Sequence, residues 1–210
     1  MLITPLELKS HALNSFTINL TDEAEQTSLD GRSYKEITEE VIKDVSSQIQ
    51  QELGRSLIIK KHSERVHESR WEKTGSKFVL YTPQRPIIKS EDGNGNPLSI
   101  SGDKTAIEVD SIPEEVKYLA GYRIKDQSLE DIQEIDDSIT QEEYDSIEIL
   151  PNVVRRETVK LCIYELKIVL SNLIGFSVLT KQTGGVESNV QKPIDQFHST
   201  MQRLATFRNL

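Results

Sequence analysis

The chain has 210 residues, a formal net charge of -9 and a pI near 5.1, enough length for one good-sized core or for a core with an arm. Its acidic balance, with no basic cluster beyond Arg155 to Lys160 (RRETVK), argues against a protein whose affinity comes from nucleic-acid phosphates. An acidic surface near DNA repels it, which suits a conduit better than a grip.

The first residues, MLITPLELK, carry a helix start where a secretory leader would carry a basic, apolar, small-residue pattern, so synthesis and folding in the cytoplasm are expected. Thr4-Pro5-Leu6-Glu7 reads as a capping box with proline at the first helical position, opening a short helix over about Pro5 to His11. From Asn14 to Arg32 the sequence is polar and aperiodic, a loop with at most a brief strand at Phe16 to Leu20. Ser33-Tyr34-Lys35-Glu36 is a second capping box. Behind it Tyr34, Ile37, Val41, Val45, Ile49 and Leu53 form a helical stripe that Gly54 closes.

After Gly54 the period becomes extended. Leu57 to Glu68, Lys77 to Tyr81, Ile87 to Ser90, Leu98 to Ser101, Ala106 to Val109 and Val116 to Tyr122 are short β-prone segments separated by turn residues, and we expect one small antiparallel sheet. The turn Asp92 to Pro97 is rich in oxygen donors, but it lacks EF-hand spacing and a closing glutamate, so a hairpin turn is expected. Asp126 to Glu148 holds ten acidic residues and no Lys or Arg, with Leu129, Ile132, Ile135 and Ile139 at helical spacing, and reads as an acidic amphipathic helix or an excursion loop.

Asn152 to Ile174 is a long helix bracketed by Pro151 and Gly175. One face carries Val159, Cys162, Ile163, Leu166, Val169, Leu170, Leu173 and Ile174. A second stripe, Leu161, Tyr164 and Ile168, lies about half a turn away and needs either another helix of the same chain or a neighbouring copy to cover it. Lys160, Glu165 and Lys167 rule out a membrane span. The lone cysteine, Cys162, sits on the core face and reads as inert. Thr180 to Gln191 is polar and glycine-containing; beyond it Pro193 opens a terminal helix with Ile194, Phe197, Met201, Leu204 and Phe207 on one side.

Chemistry-bearing patterns are few. His62 and His67 fall on opposite faces of a strand, and His11 and His198 are isolated. No nucleophile triad, glycine-rich phosphate loop or CxxC is present, and no carboxylate pair stands in an apolar setting. Trp71 lies between charged residues and is expected to pack partly in a core. We expect no catalytic residue, no bound metal and no cofactor; a metal-assisted hydrolase using scattered carboxylates is the weakest alternative.

The order of elements then becomes informative. A capped N-terminal helix, a second helix ending in ELGRSL, a proline-bracketed turn YTPQRPI, a strand VKYLAGY, then LPNVVRRETVKLCIYEL and a terminal LATFRNL together resemble the head-tail connector proteins of tailed bacteriophages, also called adaptor or head-completion proteins. The resemblance covers Met1 to Tyr122 and Ile149 to Leu210; the segments Asn14 to Arg32 and Asp126 to Glu148 are longer than the compact family pattern.

The resemblance implies a non-enzymatic virion protein: a dodecameric ring of copies beneath the portal, extending the DNA channel and docking the next neck, stopper or tail component. Double-stranded DNA would pass without sequence-specific binding during packaging and ejection, and no membrane is involved. It makes Leu161, Tyr164, Ile168, Phe197, Met201, Leu204 and Phe207 candidates for subunit or portal contacts, and Glu130, Asp131, Glu134, Asp136 and Asp137 candidates for a channel-facing acidic surface. The expected fold is α+β and mainly helical: a small bundle around one long central helix, with a small antiparallel sheet and an extended C-terminal arm. Residues 1-178 would form the core domain, with an acidic excursion at 123-148, and 179-210 the arm with its docking helix. The alternative is an acidic, non-viral interaction or chaperone-like module with a C-terminal docking helix.

Overall fold

The computed structural model describes residues 1-12, 20-21, 31-174, 199-200 and 202-204. They divide into two compact units, Met1–Leu53 with Pro151–Leu210, and Gly54–Leu150. The strand expected at Phe16 to Leu20 lies outside the described residues, apart from Leu20.

The first unit is helical. Helix α1 spans Pro5–Ala12, α2 Tyr34–Leu53 and α5 Asn152–Ile174. At the start of α1 only half of the capping box forms: the Glu7 amide donates to Thr4 Oγ1 at 3.1 Å, while the Glu7 carboxylate turns to Arg155 of α5 at 2.6 Å. Ser33 and Glu36 complete theirs, with Ser33 N donating to Glu36 Oε2 at 2.7 Å and Glu36 N to Ser33 Oγ at 3.2 Å. Tyr34, Ile37, Val41, Val45, Ile49 and Leu53 are all buried, and Gly54 ends α2 at φ +69°. Helix α5 packs against α2 and α1. Its row Val154, Thr158, Cys162, Leu166 and Leu170, spaced by four, is buried throughout, and Thr158 returns its hydroxyl to the Val154 carbonyl at 2.8 Å.

The second unit has its own architecture. Strands β1 (Lys60–Glu64), β4 (Ile87–Asp92) and β7 (Val116–Ala120) form one antiparallel sheet in the order β1-β7-β4. A second antiparallel sheet has the order β2-β3-β6-β5, from Glu72–Thr74, Lys77–Tyr81, Ala106–Val109 and Ser99–Ile100. Strand alternation sets what each face meets. Val116, Tyr118 and Ala120 of β7 share a core with Trp71, Leu80, Ile107 and Val109 from the second-sheet region. Leu119, pointing the other way, joins Ile59, Ile132, Ile139 and Ile147 in a separate core beneath the acidic segment.

The mainly helical bundle around one long helix is therefore overturned: seven strands in two antiparallel sheets make a unit with cores of its own, and α5 is a member of the helical unit only. The error has a physical source. Period-two alternation says which residues face inward but not which strands pair, and β2, Glu72–Thr74, is exposed at every position and shows no apolar signal. Trp71 is buried in the core it borders. The Asp92 to Pro97 turn is a hairpin connection in which Asp92 accepts from the amides of Asn94 and Asn96 at 2.9 and 2.8 Å and from Asn96 Nδ2 at 2.8 Å, so its oxygens are occupied by its own turn.

Candidate functional site

Three places concentrate the candidate features: a junction at one end of the three-stranded sheet, the acidic segment, and the second stripe of α5.

The junction gathers residues far apart in sequence. Ser56 N donates to Gln84 Oε1 at 2.7 Å, Gly121 N to the Pro86 carbonyl at 2.9 Å, and Tyr122 N to the Leu57 carbonyl at 2.8 Å. Thr82 tightens the intervening turn by donating its hydroxyl to the Gln84 carbonyl at 2.7 Å. Gly121 is required here. It sits at φ +126°, and a Cβ would fall 2.5 Å from the carbonyl carbon and oxygen of Ile58. Arg55 is buried beside Tyr122 and Arg85; burial lowers its pKa, Tyr122 counteracts the shift, and the like charge of Arg85 adds to it.

The acidic segment folds as two short helices, α3 (Leu129–Gln133) and α4 (Gln141–Ser146). Each opens on a complete capping box, Ser128 with Asp131 and Thr140 with Glu143, so part of the acidity serves helix starts. Ile132, Ile139 and Ile147 anchor the lobe on Ile59 and Leu119. Polar contacts hold its edges: Lys89 Nζ donates to Ser138 Oγ at 2.8 Å, Lys61 lies 3.5 Å from Asp136, and Arg123 donates to Tyr144 Oη at 2.8 Å with its guanidinium 4.6 Å over the ring. Asp136 is buried. Burial pushes its carboxyl pKa up, but the hydroxyl and amide of Ser138 and the charges of Lys61 and Lys89 outweigh it and hold the pKa below the ordinary value. Asp136 is therefore a structural anchor of the lobe and leaves the group of candidate channel-facing carboxylates. Glu130, Asp131, Glu134 and Asp137 are exposed.

On α5 the second stripe begins one turn earlier than apolar spacing indicates, at Glu157. Its carboxylate is fully buried, with Lys160 Nζ at 2.7 Å, Arg203 at 3.3 Å and Arg156 at 3.6 Å. Thr200 Oγ1 lies 3.5 Å away. Burial raises the Glu157 pKa, yet the bond from Lys160 and the surrounding cations bring it below the usual carboxylate value. Of the candidate interface residues, Leu161 and Leu204 are buried within the single chain and Tyr164 and Ile168 are half-buried. Phe197, Met201 and Phe207 lie outside the described residues. Glu157 was missed because a glutamate among apolar residues reads as a solvated break. Its signal is the flanking set, Arg156 and Lys160 on the same helix.

No family model matches the chain, and no curated protein matches it. Among the described residues no helix is long and apolar enough to cross a membrane, and no group of three or more His, Cys, Asp and Glu is placed to hold a metal ion. Cys162 is wholly buried, and burial, with Glu165 adding to it, pushes its thiol up to about 12.

Proposed function

We propose that this chain is a non-enzymatic structural adaptor of a tailed-phage virion, assembling as a dodecameric ring under the portal, extending the DNA channel and docking the next neck or tail component. The observation that carries the reading is the junction. ELGRSL, YTPQRPI and YLAGY, three of the separated pieces on which the resemblance to connector proteins rests, are bonded to one another through Ser56, Gln84, Pro86, Leu57, Gly121 and Tyr122. Their meeting in space, around a glycine demanded by backbone contact, supports reading the three pieces as one structural unit.

The acidic lobe suits the wall of a conduit. Exposed Glu130, Asp131, Glu134 and Asp137 repel a passing duplex and so disfavour its arrest. Portal and downstream neck component are the partners of the ring, and DNA passes without base readout. Quantifying this chain against the portal protein in purified virions tests the reading. A fixed ratio near one chain per portal subunit is expected, and virions that are complete and infective without the chain would overturn it.

A further inference from the structure

A groove of about 520 Å³ runs between α1 and α5 within the helical unit. Its floor is apolar, from Val153, Val159 and Ile163, and its rim carries His11, Arg156 and Lys160. Glu7 faces Arg155 across it at 2.6 Å, yet the buried Nε of Arg155 has no hydrogen-bond partner among the described residues. Arg156 is 67% exposed by side chain and among the described residues reaches one carboxylate, Glu157, which Lys160 and Arg203 also contact. In a chain of net charge -9, this rim is locally cationic.

The surface of opposite character is the lobe in the other unit. Its 23 residues, Asp126 to Glu148, include ten carboxylates and no Lys or Arg. Asp131 and Glu143 are taken by caps, Asp136 by Lys61 and Ser138, and Glu148 by Lys104. Glu130, Glu134, Asp137 and Glu142 have no partner among the described residues, and Leu129 and Ile135 beside them remain half-buried. An acidic rim with a little apolar surface is the complement of a cationic rim over an apolar floor.

We propose that the α1–α5 groove receives the acidic lobe of a second copy of this chain, an inference that rests on the reading of the protein as a ring of copies. The two surfaces differ and lie in different units, so the contact is heterologous, and repeated head-to-tail contacts close into a ring when the rotation allows. The lobe then serves twice, with some carboxylates seated on the neighbour and the rest left to face the channel.

Charge exchange tests it on the full-length protein. A groove variant, His11→Glu with Asn152→Asp, and a lobe variant, Glu130→Lys with Glu134→Lys and Asp137→Lys, change only exposed side chains outside the Glu157 cluster and should melt like the wild type. Self-association is read as mass by sedimentation at low and high salt, alone and with portal rings. Each variant by itself should associate roughly tenfold or more weakly than wild type, wild-type association should weaken with salt, and an equimolar mixture of the two variants should recover it. Association untouched by both variants would overturn the groove-to-lobe contact while leaving the ring reading standing. No association of the wild type, alone or with portal, would remove the ring reading and this inference with it.

Discussion

Replacing Glu157 by glutamine removes one charge from the centre of the α5 cluster while keeping size and a hydrogen-bonding side chain. Because Glu157 is fully buried while Lys160, Arg203 and Arg156 are 41, 48 and 67% exposed, the freed cations can turn to water, and the penalty of a stranded buried charge does not apply. The loss is that of the charge-assisted bonds, about 1.5-3 kcal/mol. For a body of this size, that corresponds to a drop in Tm of about 3-12 °C. The pH dependence follows from the lowered carboxyl pKa. A carboxylate depressed on folding contributes its full stabilisation above its unfolded pKa and loses it as pH falls through its folded pKa. The wild-type advantage over Glu157→Gln should thus be full at neutral pH and close in acid. Thermal unfolding followed by circular dichroism across pH measures the gap, and hydrogen exchange at Thr200 and Leu204 should accelerate in the variant. Equal melting at neutral pH, or a gap that widens in acid, would refute the reasoning.

Gly121→Ala should cost about 2-6 kcal/mol, combining strain at φ +126° with a Cβ placed against the Ile58 backbone, whereas Gly75→Ala, at φ +63° with open space around it, should cost about 1-2 kcal/mol; chemical denaturation of the pair measures the difference. Ile132→Ala, at a fully buried anchor of the lobe, should cost about 2-5 kcal/mol, and limited proteolysis should cut within 126-148 before the sheets are attacked. Native Cys162 should resist thiol reagents in mildly alkaline buffer and react only when the helical unit opens, which a labelling time course with and without denaturant will show.

Helix α2 was legible to the residue, because a capping box, a six-member stripe and a terminal glycine all specify the same boundaries. Six of the seven strands were legible as segments, the exposed β2 was not, and neither sheet was legible as a sheet. Pairing depends on distant partners, such as Lys60 with Ala120 and Phe78 with Val109, and no local period encodes them. The acidic segment showed its apolar spacing, and Ile132 and Ile139 are indeed anchors; that Asp136 is buried with them was hidden, because its partners Lys61 and Lys89 lie on other strands. The second stripe of α5 was visible as Leu161, Tyr164 and Ile168. Its first member is the charged Glu157, whose cations come partly from Arg203 near the other end of the sequence. A stripe analysis restricted to apolar residues passes over such a position.

The mass of the purified chain, measured with and without rings of the portal protein proposed as its partner, decides whether the proposed adaptor is complete only as a ring on a portal. A discrete complex in which a closed ring of copies is added to each portal is expected. A chain that keeps its own mass at every portal concentration would contradict it.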